Sequence, residues 1–578
     1  MNTESRIRLK WIDRKRLREI MALLGISILV VLPFFLTRGV VRGSEGEDWT
    51  FHFARIRSLL GSLKAYQLPV EVNFLEFSAQ GLGVNSMYPF FSLYLFIWPL
   101  LLPIKLRLKV FIFALLFNIC ASANIFGFIG EFTNNLWIKS SIAVLYLFNN
   151  YHLVLSYKRF ALGELLGYTM FPLVAWGIVK IWKRQKVGIL LLALGVSLIA
   201  NSHILSLLFL IVVLILAEIV RLLMQKFNWE EARYICIAAA LTIPMSAVTI
   251  YNFLVLSMHN RYLAPNISAP LNESSIFPQT YIVDLKHTLH PLALTDLNAR
   301  TWNIGTLFLI LAFIAIIYLI VRRKDNDGYY AFVGIIGLLL VIGGFDFVNW
   351  DFTEHLKIFE PIKVIQFLGR LLMLAAIFLV VPVMRMMIKV KALWAKWLIS
   401  VPIIIFLING MMTIYRTQNF YQEIVPTNIL ESGYNNQLHT IDYFPAFSGP
   451  KSGVDYAVKA AYSDIKGPIM FGNSVPSFNS ATYHMRIKHV VMNKYLVTPV
   501  AAYNRFNYRV TIDGQTVKWI HNQTYGTIAI SSNELVNKKK AKLCVVAKPL
   551  KNEWLVMIIA GIANMAVMLR LILDFKRK

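Results

Sequence analysis

Charge-free apolar stretches recur along this chain, and no other feature constrains its fold as much. Residues 23–36, 189–200, 204–216 and 307–321 contain no Asp, Glu, Lys or Arg. With their flanks, several approach the ~20 residues a helix needs to cross ~30 Å of hydrocarbon. Lipid cannot satisfy backbone N–H and C=O groups, so only helices or closed barrels cross it, and the alternating pattern of barrel strands is missing here. The 578 residues are only 15% charged, against roughly a quarter in soluble proteins. The expected fold is therefore a polytopic α-helical membrane protein.

The net charge of +27 raises nucleic acid as a partner, but the placement of the charge argues against it. Most basic clusters sit beside apolar runs, as expected when Lys and Arg are retained on the cytoplasmic side. Arg6, Arg8, Lys10, Arg14, Lys15, Arg16 and Arg18 precede the first run, which has no small-residue cleavage site after it and reads as a retained helix. Twelve spans follow from this start: 19–37, 108–129, 140–155, 162–182, 187–201, 204–223, 233–256, 305–321, 329–344, 364–383, 397–414 and 554–573. Both termini are then cytoplasmic in a multi-pass plasma-membrane protein. Residues 88–104, rich in Pro and aromatics, suit an interfacial or re-entrant helix. Leaving them non-spanning puts Lys105, Arg107 and Lys109 outside, the single exception to the charge rule. Cys120, Cys236 and Cys544 show neither metal spacing nor a disulfide framework.

The domain reading is a basic N-terminus (1–18), a transmembrane domain (19–414) with an outer loop at 38–109, an extracytoplasmic domain (415–552), and a final helix with a basic tail (553–578). Within the outer loop, 49–63 reads as an amphipathic interfacial helix. The 415–552 domain is rich in Tyr, Asn, Gly and Ser. Residues 508–512 alternate, Asp513-Gly514 supplies a tight hairpin turn, 517–520 continue, and 526–531 form another strand. A β-sandwich-like module is expected.

Candidate chemistry concentrates just after the first span. Asp48, His52 and Arg55 share one helical face, with Glu47 beside Asp48. A carboxylate there can deprotonate a hydroxyl or hold a divalent cation such as Mg or Mn; the simpler reading is a solvated acid capping the helix. Arg159, Glu164 and Arg370 fall near the outer ends of spans, where ionisable groups are costly and mark function, ion pairing between helices or snorkelling. His203 lies in a turn between two spans. Asp284, His287 and His290, like Asp346, Asp351, Glu354 and His355, fit no strong metal template, and no metal site is assigned. Walker loops, dinucleotide fingerprints and zinc spacings are absent.

An acidic residue in the first outer loop, an amphipathic helix and the segment Met87-Tyr88-Pro89 together resemble the GT-C superfamily of membrane glycosyltransferases. The stretches Tyr151-His152 through Gly163-Glu164 and Gln366-Phe367-Leu368-Gly369-Arg370 are similar to those of YfhO-type bacterial membrane proteins, the pterin-synthase-related-domain family. In that family the last stretch reads Gln-Phe-Pro-Trp-Arg; Leu368 and Gly369 depart from it.

The resemblance implies transfer of a sugar from a polyprenyl-phosphate donor to a cell-envelope glycan or lipid at the outer face. Asp48 would be the general base and Glu47 a second acid or metal partner. His52, Arg55, Arg159, Glu164, His203, Gln366 and Arg370 would be substrate-binding. A lipid or polysaccharide flippase and a non-catalytic assembly factor on the same scaffold are the rival expectations.

Overall fold

The computed structural model describes residues 14–36, 48–69, 71–75, 79–261, 271–289, 302–322, 324, 326–420, 444–445 and 469–576. It is mostly helical, with a β-sheet region between the last two long helices. Seven helices are long and apolar enough to cross a membrane. In chain order the principal helices are α1 (Arg14–Leu36), α2 (Trp49–Lys64), α3 (Leu106–Gly130), α4 (Leu136–Leu147), α5 (Leu162–Trp182), α6 (Val187–Ala200), α7 (Ile204–Leu223), α8 (Trp229–Met245), α9 (Gln279–Leu289), α10 (Thr306–Arg322), α11 (Asp327–Gly343), α12 (Leu371–Lys389), α13 (Leu393–Phe420) and α14 (Glu553–Lys576).

The seven long spans are α1, α3, α5, α7, α12 (extended back to Leu368), α13 and α14. An eighth forms if α8 and the following Ala247–Ser257, bent by 68°, count as one. The other four expected spans correspond to α4, α6, α10 and α11, apolar helices of 12, 14, 17 and 17 residues. Residues 88–104 form short helical pieces within Phe91–Leu101, broken by Pro99 at the start of a tight turn.

Helices α5 and α12 run through the centre and are the most buried of the seven. By contrast, α7 and α14 leave most of their surface open. On α7, Ile211, Val212, Ile215, Leu216, Ile219 and Leu222 are all exposed. A band of that size on a water-soluble protein would drive aggregation, whereas in lipid it costs nothing. The bilayer is thus the environment these helices fit.

The two ends of the bundle differ in charge. Glu164 lies in the first turn of α5 and Lys180 in its last. At the Lys180 end, Lys180 pairs with Glu131 at 2.7 Å, and Arg221 pairs with Glu231. Arg322 and Arg385 flank the fully buried Asp327 at 3.3 and 2.8 Å. These pairs tie α3 to α5, α7 to α8, and α10 to α11 and α12. The opposite end carries α2 and the β region.

That β region is a two-sheet sandwich of antiparallel strands: β1 (Ile469–Pro476), β2 (Ser480–Ile487), β3 (Tyr495–Ala501), β4 (Asn507–Ile512), β5 (Gln515–Thr516), β6 (Trp519–Asn522), β7 (Thr527–Ser531) and β8 (Lys540–Lys548). The larger sheet has the order β1-β2-β8-β4-β5 and the smaller β3-β7-β6. The expected Asp513-Gly514 hairpin is present, with both residues at positive φ, 51° and 85°, as a tight primed turn requires. Val517 carries the hairpin one residue past β5, donating its N–H to the Val510 carbonyl at 3.0 Å, with its side chain buried. The chain then leaves for the other sheet, where β6 pairs with β7, so 519 and 520 do not continue the hairpin.

The sandwich rests on the outer-loop residues. Val72, Phe74, Leu82 and Val84 join Tyr483, Val510 and Leu543 in one apolar cluster. The Tyr483 hydroxyl donates to the Ala79 carbonyl at 2.7 Å, and the Gly83 N–H donates to the Tyr503 hydroxyl at 2.7 Å. Helix α2 is consequently covered on both sides: Phe53, Ile56, Leu59 and Leu60 face the membrane bundle, while Ala54 faces the sandwich. The sequence pattern suggested a helix lying on the membrane with a wet face. It missed this because the covering surface lies more than 400 residues away. Where the chain leaves the sandwich, Glu553 opens α14 with its side chain buried in the neighbourhood of the equally buried Glu71, and the carboxylate oxygens of both find no hydrogen-bond partner among the described residues.

A buried arginine–glutamate network as the candidate functional site

Four separate stretches meet at the end of the bundle beneath α2. The first is the start of α2 itself. Asp48 precedes the helix, but its side chain does not cap it. Instead its carboxylate pairs with Arg159 Nη2. The second stretch is the turn before α5. Asn149 caps a short helix at Asn150–Leu153 by accepting from His152 N–H. One π-helical turn, Val154–Lys158, follows, a form enriched at functional sites. Phe160 then takes a positive φ of 51°, which an aromatic residue adopts only where its surroundings hold it. Stacking on Phe53, with ring centroids 4.9 Å apart, holds it here. The outcome is that Arg159 and Glu164 point at one another, with Nη1 3.5 Å from Oε2.

The third stretch precedes α12. Gln366 sits at φ 62° and ψ −44°, a conformation costly for any residue with a side chain. This kink turns Arg370 back toward it. Arg370 Nη1 donates to Gln366 Oε1 at 2.7 Å and to the Ile365 carbonyl at 2.8 Å. Arg370 Nε reaches Glu164 Oε2 at 3.3 Å. Glu164 thus bridges two guanidiniums, and the Tyr151 hydroxyl donates to its other oxygen. The Phe367 ring lies between the cations, its centroid 5.3 Å from Arg159 and 4.9 Å from Arg370.

The fourth stretch is the α6–α7 turn. His203 caps α7 by accepting the Ser206 N–H at Nδ1, 3.2 Å away, which leaves Nε2 as the protonated nitrogen. Its ring lies 5.6 Å from Tyr88, and Tyr88 lies edge-on to His52 at 5.4 Å. Arg55 stacks on Tyr88 at 4.1 Å and donates to the Tyr88 and Pro89 carbonyls at 3.1 and 2.8 Å. Burial, followed by the neighbouring Arg370, pushes His203 down to about 3 against the opposing pull of Glu164. Burial and Arg55 likewise hold His52 well below the usual histidine range. Both imidazoles are neutral at physiological pH. Three guanidiniums against two carboxylates leave the cluster net positive, a setting that favours an anionic ligand.

Of the residues singled out from sequence, the structure brings together Asp48, His52, Arg55, Arg159, Glu164, His203, Gln366 and Arg370. Glu47 and His290 lie outside the described residues. Asp284 serves the fold, accepting from Asn150 and from the Thr306 N–H that starts α10. Asp351 accepts from Asn272 on the surface. Among the described residues, no group of three or more His, Cys, Asp or Glu could hold a metal ion. Asp48 faces the Arg159 guanidinium, and Glu47, the expected second acid or metal partner, is not among the residues described.

Sequence reasoning missed Trp302. Arg159 stacks on its ring at 5.0 Å, and its buried Nε1–H finds no acceptor among the described residues. The one available signal was Gly369: a Cβ there would come within 1.5 Å of the Trp302 ring, so the absence of a side chain at 369 makes room for the indole. Gly163 likewise admits the Tyr88 hydroxyl, which would lie 2.3 Å from any Cβ there.

The apolar helices and the β-sheet region define a multi-pass type of membrane protein. No protein-family model and no curated protein matches the chain.

Proposed function

We propose that this protein is a GT-C-like integral membrane glycosyltransferase that moves a sugar from a polyprenyl-phosphate carrier to an envelope glycan or lipid outside the cytoplasm. In this reading the chain crosses the membrane twelve times, the basic Lys180 end faces the cytoplasm, and α2 with the sandwich faces out. The ion-pair-rich basic end supports that orientation.

The observation that carries the proposal is the pairing of Asp48 with Arg159. Asp48 keeps 43% of its side chain exposed, while Arg159, Glu164 and Arg370 are nearly closed off. A donor phosphate entering the site would compete with Asp48 for the Arg159 guanidinium. Its arrival frees the carboxylate beside the sugar, so the base is released only when donor is bound. Asp48 then takes the acceptor hydroxyl proton. The acceptor oxygen bonds to the anomeric carbon as the carbon–phosphate oxygen bond breaks, and the departing phosphate keeps the electron pair against Arg159 and Arg370. Glu164 holds both guanidiniums in place, and the neutral His203 offers Nε2–H as a donor. The lipid phosphate is itself the leaving group, so no nucleotide fold is needed.

The test is transfer of labelled sugar from polyprenyl-phosphate donors in proteoliposomes. Asp48→Asn should abolish transfer at unchanged membrane expression, and Arg370→Lys should weaken donor binding. Full activity in Asp48→Asn would remove this mechanism. Movement of lipid across the bilayer without product would favour a flippase.

A further inference from the structure

The larger sheet of the sandwich has one face against the core and one in solvent, and the solvent face is strongly basic. From residue 469 to residue 552 the chain carries twelve Lys and Arg against two acids, Asp513 and Glu534. Strand alternation sends Ala481, Tyr483 and Met485 of β2 and Ala541, Leu543 and Val545 of β8 inward. Outward go His484 and Arg486 of β2, Lys540 and Lys542 of β8, and Arg509 of β4, with Lys488 just past the end of β2, all exposed.

Register then sets like charges against each other at one position, where Arg486 lies directly opposite Lys540; His484 stands opposite Lys542. Facing residues in an antiparallel pair stand ~5 Å apart, where like charges destabilise the sheet. Among the described residues no acid pairs with them. Asp513 is engaged by the Lys538 ammonium and by the Lys542 N–H at the turn, and none of the ion pairs formed by described residues involves Arg486, Lys540 or Arg509. A sheet needs only polar residues on its wet face, so clustered cations facing one another are a cost that folding does not require.

The geometry points to this face as a docking surface for a linear polyanion, a soluble polymer bearing one anionic group on each repeat. Charge complementarity argues for it. Arg486 and Lys488, and Lys540 and Lys542, stand ~7 Å apart along their strands, and Arg486 and Lys540 ~5 Å apart across them, a spacing that a chain with regularly spaced anions can follow. The outer-loop residues Val72, Phe74, Leu82 and Val84 and the helical Leu256 pack with the inward-facing residues of the sandwich, not with these exposed cations. A polymer is therefore the occupant rather than a lipid headgroup. The inference does not depend on which group, if any, the membrane site transfers.

The test uses the full chain in nanodiscs of zwitterionic lipid, with long-chain polyphosphate and polygalacturonate as probes. Binding at low salt should weaken by about tenfold or more between 50 and 200 mM salt, as release of several counterions requires. Arg486→Gln with Lys540→Gln should weaken binding by about tenfold while melting no lower than the parent, since a repulsive pair is removed. Lys391→Gln with Lys396→Gln, far from the sheet, should change nothing. Absence of binding at low salt would overturn the proposal. So would equal binding by the Arg486/Lys540 variant, its lower melting, or a preference for anionic-lipid vesicles over both polymers.

Discussion

Replacing Glu164 by Gln keeps the shape of the central side chain and removes its charge. In the native protein the carboxylate is about 1% exposed and bridges Arg159 and Arg370, with Tyr151 on its second oxygen. Removing one partner of a buried ion pair typically costs about 3–5 kcal/mol, because the other charge stays buried without compensation. Here the surviving cations keep other contacts: Arg159 has Asp48, and Arg370 has Gln366 and the Ile365 carbonyl. The lower end, about 3 kcal/mol, is therefore expected. Arg370→Met alone should cost less, since Glu164 keeps Arg159. The double variant should fall short of the summed losses by about 1–3 kcal/mol, the coupling of residues in one network. Reversible denaturant unfolding in detergent micelles, followed by tryptophan fluorescence, reads all three. A Glu164→Gln loss under about 1 kcal/mol, or strict additivity in the double variant, would refute the reading of Glu164 as the shared counter-charge.

Three further perturbations follow from the geometry. Gly369→Ala must displace the Trp302 ring and with it the stacking on Arg159; a cost of about 1–3 kcal/mol is expected, together with a changed tryptophan emission maximum. Tyr151→Phe removes a donor to a buried carboxylate and should cost about 1.5–3 kcal/mol in the same unfolding assay. Burial pushes the Glu71 carboxyl up to about 7, whereas the unfolded chain releases that proton near ~4.3. Between those values the native state binds more protons, so stability should fall as pH rises, with this carboxyl contributing at most about 1.4 kcal/mol per pH unit. Glu71→Gln should flatten this slope; an unchanged pH profile would count against the buried carboxyl pair.

The helices were legible because lipid demands long uninterrupted apolar runs, and such runs survive reading without any knowledge of neighbours. The Asp513-Gly514 turn was legible for a similar reason, since both positions require positive φ and the residues advertise it. What the sequence could not supply was pairing. Asp48 and Arg159 are 111 positions apart, and nothing local to either indicates the other. Trp302 looked like an ordinary aromatic before a span, and its role depends on the empty volume over Gly369. The kink at Gln366 was equally hidden, because Gln carries no preference for positive φ and is held there by its partners. Helix α2 was recognised as a helix but misjudged in its surroundings, since amphipathic spacing records one apolar face and says nothing of a lid folded over the other.

The sandwich leaves directly into α14, and it is stitched to the loop that follows α2 through Tyr483 and Tyr503. It therefore has no independent swing. Any tilt imposed on it by a load on its outer sheet levers α2, and with α2 the Asp48 carboxylate that stands against Arg159. The β sandwich is in this sense mechanically in series with the enclosed charges around Glu164.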